Sequence, residues 1–569
     1  MGKTVTGAQI VWEALVAEGV DVCFGMPGGA ILPVYDALAK YEYPVKHVLV
    51  THEQGASHMA DGYGRTTGRP GVCIATSGPG AINLMTGLAT ANMDSVPIVA
   101  ITGQVPNILL GRDGFQEADI LGVSLPITKH NYLVTDIKDL GQAIKEAFYI
   151  ARSGRPGPVL VDVTKDVQNT VLEDFDYDAI EIDLPGYDPT MSAADAASIA
   201  RAAKLLNEAE RPIIISGQGT SLAKAEAELR ELAEKAQIPV ATSLLGIGTF
   251  PTTHPLSISW GGMHGDAHCN YAIQDCDVLL AVGARLDDRL TGAFDTFAPK
   301  AKIVHIDLDP SEVGKNLIID TPVVGDALLT LRELIPQVES NEHPAWIDQI
   351  NEWRGETAER DILSQERDDL NAPYVCQQLW HLTNEGDCTV VTDVGQHQMW
   401  EAQYFKHTKR RSLLTSGGLG TMGYALPAAI GAQFGAPDEE VWVMAGDGGF
   451  QMTMIEFKTL AEQNLPVKIA LINNSFLGMV QQWQDVFYDK RYSGTPLKNP
   501  NFVQIADAYG IPGRIVTEKA DVADAIREAQ AYDGPYFLEF RVPAEHVYPM
   551  VPAGKSNADM IRRPTAATE

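Results

Sequence analysis

The sequence predicts an α/β protein built from three doubly wound parallel-sheet domains. Strand-like apolar runs alternate with helical patterns along the chain, as in the runs "PGVCIAT", "VPIVAIT" and "GPVLVDV". A chain of 569 residues is too long for one hydrophobic core, and this length predicts three or four domains. Strands that alternate with helices favour parallel sheets covered by helices on both faces.

Two changes in composition divide the chain. The first domain covers residues 1–170, and its opening segment "MGKTVTGAQIVWEAL" is typical of a globular helix. An acidic linker with proline and glycine, "VLEDFDYDAIEIDLPGYDPT", separates it from a central domain at 190–340. The charged segment "ESNEHPAWIDQINEWRGETAERDILSQERDD" is predicted to be a connecting helix or linker. A third domain follows at 371–550, with a C-terminal tail at 551–569.

The first and third domains contain two stretches of approximately similar sequence. The stretch "TSGPGAINLMTGLATANMDSVPIVAITG" resembles a compressed form of "TSGGLGTMGYALPAAIGAQF" followed later by "LPVKIALINN". This similarity predicts two related domains that face each other.

Charge and cysteine content restrict the class of partner and the compartment. The 74 acidic and 43 basic residues give a net charge of −31, which disfavours nucleic acid and anionic membranes as partners. Six cysteines show no CxxC pair, so we expect them to be reduced and mostly buried, as in a cytoplasmic protein. No apolar run has the length of a membrane span, and the N-terminus has neither a signal peptide's apolar core nor a transit peptide's composition.

The stretch "GDGGFQMTMIEFKTLAEQNLPVKIALINN", at 446–474, carries the clearest chemical signal. It has the pattern of a strand end, a helix and a second strand, and in a parallel βαβ unit both strands end at the same sheet edge. Asp447 and Asn474 are therefore expected to meet there. A carboxylate and an amide oxygen suit Mg²⁺, which takes its other ligands from water and substrate phosphates. The alternative is an ordinary βα turn.

This motif resembles the diphosphate-binding motif of thiamine diphosphate enzymes. The resemblance implies that Mg²⁺ is held by Asp447, Asn474 and the backbone carbonyl of Phe476, with glycine-rich backbone against the diphosphate. It also implies a glutamate elsewhere in the chain that protonates the aminopyrimidine ring of the coenzyme.

Glu53 is the candidate for that glutamate. In "HVLVTHEQGASHMADGYGRTTG" an apolar strand ends at Thr51 and Glu53 opens a helix rich in small residues. The alternative role is a charge stabilised by the helix dipole. Because Glu53 and Asp447 lie in different domains, the coenzyme is expected between two domains, which in the family belong to different subunits. The active unit is therefore expected to be at least a dimer.

Further phrases along nearly the whole chain resemble the catalytic chains of the acetohydroxyacid synthase (acetolactate synthase) family. They are "FGMPGGAILPVYDAL", "GRDGFQEADILGVSLPITKHN", "GRPGPVLVDVTKDV", "WGGMHG", "GARLDDRLTGAFDTFAP", "VGQHQMW" and "LGMVQQWQ". The resemblance implies that Phe115 and Gln116 lie by the substrate, that Lys165 lies at its entrance, and that Met479 and Trp483 shape the site of the second substrate. It implies that the thiamine rings lie against Met399, Gly420 and Met422.

The central domain carries patterns for a second cofactor. The segment "RPIIISGQGTSLAKAEAELRELAEKAQIPVATS" gives a strand, a loop with Gly217 and Gly219, a helix and a strand, which suits a dinucleotide phosphate. Arg285 and Asp288 follow a buried strand, and Asp307 and Asp309 lie at another strand end, where a carboxylate meets ribose hydroxyls. A plain βα turn and structural salt bridges are the alternatives. These phrases resemble the FAD-binding segments of the family, and catabolic acetolactate synthases lack both FAD and the "GARLDDR" type of segment.

The remaining cofactor contacts that the resemblance implies are spread over all three domains. They are Val394, Gly395, Gln396, His397, Gln398, Gly446, Gly448, Gly449, Arg155, Gln218, Ser243, Leu244, Gly262, Met263, His264, Gly283, Ala284 and Asp326. Two departures from the family pattern are Met26, where Tyr is usual, and Thr164, where Pro is usual.

The activity that the resemblance implies joins two 2-keto acids. Pyruvate is decarboxylated on thiamine diphosphate, and the hydroxyethyl enamine adds to pyruvate or to 2-ketobutyrate in branched-chain amino-acid biosynthesis, with FAD in a structural role. Pyruvate oxidase shares both cofactors, and glyoxylate carboligase is close but lacks the glutamate that Glu53 represents. A non-catalytic scaffold homologue is the alternative outside enzymes. A homodimer or homotetramer and a regulatory small subunit are the partners typical of the family.

Overall fold

The computed structural model describes residues 2–363, 367–383 and 385–564. Within these ranges it contains three six-stranded parallel sheets, each flanked by helices, which confirms the predicted fold class. The strands of each sheet lie inside one of the three predicted domain ranges. The segment 364–366 of the predicted charged linker and the end of the predicted tail, 565–569, lie outside the described residues.

The first domain contains eight of the described strands. They are β1 (Lys3–Thr6), β2 (Val22–Gly25), β3 (Lys46–Leu49), β4 (Gly71–Ala75), β5 (Ile98–Gln104), β6 (His130–Val134), β7 (Pro158–Thr164) and β8 (Val171–Phe175). Its helices are α1 (Gly7–Ala17), α2 (Leu32–Lys40), α3 (Glu53–Thr67), α4 (Pro79–Asn83), α5 (Met85–Met93), α6 (Ile120–Ser124), α7 (Ile137–Arg152) and α8 (Lys165–Asn169). The parallel sheet has the order β3-β2-β4-β5-β7-β6, and β1 pairs with β8 in a separate antiparallel ladder.

The pairing of β1 with β8 differs from the sequence prediction at both ends of this domain. The N-terminus begins with a strand ahead of the expected helix, and the segment predicted to be a linker begins with the partner strand. The acidic residues of β8 did not indicate a strand because they lie on an exposed edge, where charge is compatible with a two-stranded ladder.

The central domain has a parallel sheet in the order β11-β10-β9-β12-β13-β14. Its strands are β9 (Pro212–Ser216), β10 (Val240–Thr242), β11 (Ser257–Trp260), β12 (Val278–Val282), β13 (Lys302–Asp307) and β14 (Thr321–Val324). Its helices are α9 (Ala196–Glu208), α10 (Gln218–Leu222), α11 (Glu226–Ala236), α12 (Ala267–Asp275), α13 (Asp288–Thr291) and α14 (Ala327–Leu334), and the connecting helix α15 (Pro344–Arg360) follows. The chain reverses the direction of strand order between β9 and β12, where an open α/β sheet leaves a crevice for a ligand.

The third domain repeats the strand order of the first. Its strands are β15 (Thr389–Thr392), β16 (Leu413–Leu414), β17 (Val441–Gly446), β18 (Lys468–Asn473), β19 (Gly513–Val516) and β20 (Tyr536–Arg541). Its helices are α16 (Ala372–Leu382), α17 (Gln396–Tyr404), α18 (Ala425–Gly435), α19 (Asp447–Thr453), α20 (Phe457–Gln463), α21 (Gly478–Phe487), α22 (Phe502–Ala508) and α23 (Val522–Ala531). The strand order β16-β15-β17-β18-β20-β19 has the same connectivity as the sheet of the first domain, in agreement with the sequence similarity between the two domains.

The first and third domains share one hydrophobic core. Helix α3 packs directly on α18, and an added Cβ at Gly62 would overlap the carbonyl oxygen of Ala428. In the same way an added Cβ at Gly431 would overlap the carbonyl oxygen of Met59. The two helices therefore approach so closely that only glycine fits at these positions.

In the described parts of the chain, no helix has both the length and the apolar character required to cross a bilayer. All six cysteines are buried and free.

Candidate active site

The three predicted metal ligands converge on one small cavity. In the ladder between β17 and β18, Gly446 lies opposite Ile472, so Asp447 and Asn474 leave the sheet at the same edge. A cavity of about 60 Å³ opens there, and its lining includes Asp447, Asn474 and Phe476. The sequence-predicted βαβ geometry therefore brings these three residues together.

Asp447 is a buried carboxylate held by a neutral donor. The side-chain amide of Asn499 donates to Asp447 Oδ2 over 2.6 Å. Burial raises the pKa of the Asp447 carboxyl to about 6, and the hydrogen bond from Asn499 opposes this rise only in part. Asn474 accepts a hydrogen bond from the backbone N–H of Phe476 at 3.1 Å and donates to Gln396 Oε1 at 3.3 Å.

The composition of this site fits a hard cation shared with a phosphate. The described residues contain no group of three or more His, Cys, Asp or Glu side chains arranged to hold a metal without a ligand. One carboxylate, one amide oxygen and one backbone carbonyl supply only part of an octahedral shell. Mg²⁺ usually completes such a shell with water and the oxygens of a bound diphosphate.

Gly446, Gly448 and Gly449 lie in the wall of this cavity, and neighbouring side chains pack too closely against their backbone to leave room for a Cβ. An added Cβ at Gly446 would lie 2.7 Å from His397 Nδ1, and an added Cβ would also collide at Gly448 with Leu477 and at Gly449 with Asp393. Backbone without side chains allows N–H groups to approach an anion closely. These residues fit a diphosphate group.

His397 is a second indication of a ligand at this edge. Its Nε2 atom is buried and has no hydrogen-bond partner among the described residues, and its ring lines the small cavity. Burial lowers the pKa of His397 to about 4, so the ring is neutral at physiological pH. A buried unpaired ring nitrogen in a cavity wall is available to a bound polar molecule.

A larger cavity of about 670 Å³ adjoins the small one and reaches all three domains. Its lining on the third domain includes eight residues predicted to bind cofactor or the second substrate: Val394, Gly395, Gln398, Met399, Gly420, Met422, Met479 and Trp483. The volume lies in the range of sites for cofactors and small ligands. Gly420 has φ +70°, and an added Cβ there would meet only Val394 at 3.9 Å.

The central domain lines the other end of the large cavity. Eleven residues with predicted cofactor roles face it here or from the adjacent first domain: Arg155, Gln218, Gly219, Ser243, Leu244, Met263, His264, Gly283, Arg285, Asp307 and Asp326. The Nδ1 atom of His264 is buried without a hydrogen-bond partner in the described structure, and burial lowers the pKa of His264 to about 4. Burial also raises the pKa of Asp307. The residues present fit a dinucleotide such as FAD.

The structure places the other predicted residues of the central domain outside the lining. Gly217 packs so tightly on Gly283 that a side chain would overlap its carbonyl oxygen, which makes Gly217 part of the turn. Gly262 is also a turn glycine, with φ +115°, and Ala284 belongs to the buried core. The side chain of Asp288 is 63% exposed and pairs with Arg289, whereas the neighbouring Asp287 lines the cavity.

Asp309 supports the cavity wall through an ion pair. Its carboxylate lies 3.1 Å from Arg155, and the same arginine lies 2.8 Å from Glu312. Arg155 also donates to the side chain of Ser95 at 2.9 Å. The pair therefore fixes the first domain against the central domain, in agreement with the salt-bridge alternative for Asp309.

Glu53 lies apart from both cavities of its own chain. It is the first residue of α3, is 8% exposed and accepts a hydrogen bond from the side chain of Asn83 at 3.0 Å. Neither cavity has Glu53 in its lining. The preceding backbone N–H groups of Thr51 and His52 donate to Glu456 of the third domain, and these contacts hold the start of α3 in place.

The predicted substrate residues lie on the first domain, as Glu53 does. Phe115 is 89% exposed, Gln116 has φ +61° and packs its backbone against Gly78, and Lys165 begins α8 at the end of β7. None of the three lines either cavity of the single chain. The site residues predicted from the sequence therefore fall into two sets. One set lines the two cavities, the other lies on the first domain, and a single chain does not bring them together.

Four residues that support the site were missed by sequence reasoning. Asn499 orients Asp447, Glu456 holds the start of α3, Gln482 accepts a hydrogen bond from Gln396 at 3.0 Å, and Asp393 binds the backbone of several cavity loops. For Asp393 a signal was present, since a carboxylate directly follows an apolar strand in "VVTDVG". Asn499, Glu456 and Gln482 act through contacts across 52, 404 and 86 positions, which no local pattern reveals.

Comparison with known proteins finds three thiamine pyrophosphate enzyme family models in succession along the chain. Residues 5–123 match the family model described as "Thiamine pyrophosphate enzyme, N-terminal TPP binding domain". Residues 199–334 match "Thiamine pyrophosphate enzyme, central domain", and residues 393–540 match "Thiamine pyrophosphate enzyme, C-terminal TPP binding domain".

Similar proteins share almost the whole chain. The "Acetolactate synthase large subunit" of Corynebacterium glutamicum is 49% identical over 570 residues, covering 98% of this chain and 90% of that protein. The "Acetolactate synthase" of Mycobacterium bovis is 47% identical, with 98% and 91% covered. The "Probable acetolactate synthase large subunit" of Methanocaldococcus jannaschii is 44% identical, with 96% and 94% covered.

Proposed function

The chain belongs to the acetolactate synthase large subunits of the thiamine diphosphate enzymes, and from this we propose that it is an acetolactate synthase. Its substrates are pyruvate as donor and pyruvate or 2-ketobutyrate as acceptor, in branched-chain amino-acid biosynthesis. The observation that carries this proposal is the convergence of Asp447, Asn474 and Phe476 on one cavity that adjoins the larger one.

The residues of the third domain would hold the coenzyme. Asp447, Asn474 and the Phe476 carbonyl would bind Mg²⁺, and the backbone at Gly446, Gly448 and Gly449 would receive the diphosphate. When bound, thiamine diphosphate supplies the nucleophilic carbon and the electron sink for decarboxylation. Met399, Gly420 and Met422 would support its rings, because they line the large cavity beside the metal site.

Glu53 would hold and exchange the proton at the aminopyrimidine of a coenzyme bound by a second copy of the chain. Its position outside both cavities of its own chain supports this assignment, since the acid must reach a coenzyme from another side. The exposed side chain of Phe115 supports it also, because a residue expected beside the substrate is uncovered in the single chain. Gln116 and Lys165 would enter the same shared site. We therefore propose a homodimer as the smallest active unit, with a homotetramer as a larger form.

FAD would occupy the end of the large cavity formed by the central domain. Arg285, Asp307 and Asp326 line it, and the glycine turn at 217–219 lies beside it. The acetolactate reaction has no net redox change, so these residues would hold FAD as a structural group. The proposed flavin end and the proposed thiamine end belong to one continuous cavity. This continuity supports a structural role in which the bound flavin forms part of the wall of the thiamine site.

Two further parts of the proposal concern partner and location. A regulatory small subunit is proposed because the similar proteins are described as large subunits. A cytoplasmic location is proposed on the basis of six buried free cysteines.

Product analysis tests the proposed activity. Purified protein with thiamine diphosphate, Mg²⁺ and FAD should convert pyruvate to 2-acetolactate, and addition of 2-ketobutyrate should yield 2-aceto-2-hydroxybutyrate. The matched control is Asp507→Ala, which changes an exposed acid of the same domain and should leave the products unchanged. Acetate or acetyl phosphate with reduced flavin as the main product would instead identify a pyruvate oxidase. Absence of any pyruvate consumption would contradict the proposal.

A further inference from the structure

Asp393 lies directly after β15 and is almost completely buried. Its Oδ1 atom accepts hydrogen bonds from the backbone N–H groups of Val394 at 2.9 Å and Gly423 at 3.0 Å. Its Oδ2 atom accepts from Gly423 at 3.1 Å and from Ala425 at 3.2 Å. One carboxylate therefore binds the backbone of two separate segments of the third domain.

These segments are the ones that carry the proposed coenzyme contacts. Val394 begins the segment 394–399, and Gly423 follows directly after Met422. A third segment touches Asp393 without a hydrogen bond, because an added Cβ at Gly449 would overlap Asp393 Oδ1. The loop after β15, the loop before α18 and the start of α19 thus all meet at this side chain.

The contacts of Asp393 are hydrogen bonds and not ion pairs. None of the ion pairs in the described residues includes Asp393, and the hydrogen bonds to its carboxylate come from backbone N–H groups. A buried carboxylate that accepts several backbone N–H groups fixes their directions, because each bond to a charged acceptor is stronger than a neutral one. Loss of one acceptor would leave a buried N–H group without a partner, which is costly.

We propose that Asp393 is a positioning residue that sets the three coenzyme-binding segments relative to one another before the coenzyme binds. The proposal rests on the proposed function for the identity of the ligand, thiamine diphosphate with Mg²⁺. Asp393 does not touch the ligand, since it lies outside the lining of both cavities. It acts through Val394, Met422 and Gly449, which do line a cavity.

The substitution Asp393→Asn tests this role with little change in volume. The amide nitrogen of Asn is a donor, so at least one of the backbone N–H groups loses its acceptor and faces another donor. We expect the affinity for thiamine diphosphate, titrated by calorimetry at saturating Mg²⁺, to fall about tenfold or more. The flavin content per chain, read from visible absorbance, should stay at the parent value because the described hydrogen bonds of the Asp393 carboxylate all lie within the third domain.

The matched control is Asp162→Asn. Asp162 is equally buried and also accepts only neutral donors, the hydroxyl of Thr102 at 2.7 Å and the amide of Gln104 at 2.9 Å. It lies in β7 of the first domain, away from all three segments. Its thiamine diphosphate affinity should match the parent's, although the substitution also removes a buried acid.

The possible results separate this role from a general effect on folding. Parent-like affinity in Asp393→Asn would overturn the proposal, and so would an equal loss of affinity in Asp162→Asn or a parallel loss of flavin. Failure of the parent itself to bind thiamine diphosphate would instead count against the proposed function.

Hydrogen exchange of the parent protein without thiamine diphosphate provides a test that needs no variant. If Asp393 positions the segments in advance, the amides of Gly423 and Ala425 should be protected at least tenfold relative to the amide of the exposed residue Leu419. Exchange of all three amides at one rate would overturn the proposal, because the segment would then become ordered only when the coenzyme binds.

Discussion

The side-chain amide of Asn499 donates to the carboxylate of Asp447 over 2.6 Å, and the same nitrogen lies 2.9 Å from Asn473 Oδ1. Asn499 therefore connects the first residue of α19 with the end of β18. The carboxylate proposed to bind Mg²⁺ is oriented by this neutral donor and has no basic partner among the described ion pairs. Within the described residues, no basic side chain therefore neutralises the Asp447 carboxylate, which leaves its negative charge available to bind a cation.

Substitution of Asp447 by Ala should abolish Mg²⁺-dependent retention of thiamine diphosphate, because it removes the only formally charged ligand of the site. The protein should remain folded, since Asp447 stabilises no ion pair that the structure describes. Calorimetric titration of the coenzyme measures the effect, with Asp507→Ala as the control. An affinity equal to the parent's would mean that the metal site is assigned to the wrong residues.

Coenzyme binding should depend on pH near the pKa of Asp447. Burial holds this pKa at about 6, above its ordinary value, so the carboxyl of the ligand-free protein takes up a proton as the pH falls through 6. A protonated carboxyl is a poor Mg²⁺ ligand. Affinity for Mg²⁺ and thiamine diphosphate should thus be full above about pH 7 and fall roughly tenfold per pH unit below 6. Titrations from pH 5 to 8 in two buffers would measure both this slope and the release of a proton on binding at pH 6. A flat profile would contradict the raised pKa.

Glu53→Gln should separate binding from chemistry. Gln keeps the size and one oxygen of the side chain, including an acceptor for Asn83, but cannot exchange a proton. Since positioned acid–base catalysis typically contributes ~10²–10⁴-fold, turnover should fall by about that factor, while coenzyme affinity should change about tenfold at most. Quenched-flow NMR of thiazolium proton exchange into heavy water reads the step directly. Exchange at the parent's rate would leave Glu53 as a charge at a helix N-terminus.

Trp483→Leu should change the choice of acceptor. Trp483 lies on α21, lines the large cavity and packs edge-on against Phe487 with ring centroids 5.5 Å apart. One methylene in an apolar pocket is worth roughly 1–3 kcal/mol of discrimination, so the preference for 2-ketobutyrate over pyruvate should fall while acetolactate still forms. A competition assay with both acids measures the product ratio. Phe487→Leu is the control, since Phe487 touches Trp483 but does not line the cavity. A ratio equal to the parent's would assign Trp483 to packing alone.

About one FAD per chain should copurify with the protein, and its reduction should not be required for turnover. Reconstitution with a flavin analogue that cannot be reduced should preserve acetolactate formation. The substitution Asp326→Ala should lower flavin content, because Asp326 lines the flavin end of the cavity and caps α14 by accepting the backbone N–H of Leu329. Loss of activity with the inert analogue, in protein that has bound it fully, would refute the structural role.

Short sequence patterns predicted many of the helices and strands, because the spacing of apolar residues within an element depends on the geometry of that element. The pattern around Asp447 predicted a strand, one helix and a second strand, and the structure has β17 and β18 there with two helices between them, α19 and α20, of which α19 begins at Asp447 in the expected glycine turn. The helix start at Glu53 was predicted correctly. The relation between Asp447 and Asn474 followed from the rule that parallel strands end at one edge.

The supporting contacts could not be predicted in the same way. Asp393 binds Gly423 across 30 positions and Asn499 binds Asp447 across 52, and such pairs depend on how loops return to the sheet. The strand β8 was missed because its acidic residues lie on an exposed edge. Asp288 lies in solvent and Asp287 lies in the cavity wall. Which of the two adjacent aspartates faces the cavity depends on the turn before α13, because a shift of one residue would exchange their positions.

The contact of α3 with α18 affects how this protein could be recombined. Gly62 and Gly431 each face a carbonyl oxygen of the other helix at a distance that leaves no room for a methyl group. A chimaera that joined the first domain to the third domain of a relative would have to match the glycines and the backbone path of both helices at once. The first and third domains, although distant in sequence, would therefore be inherited and engineered as one matched pair.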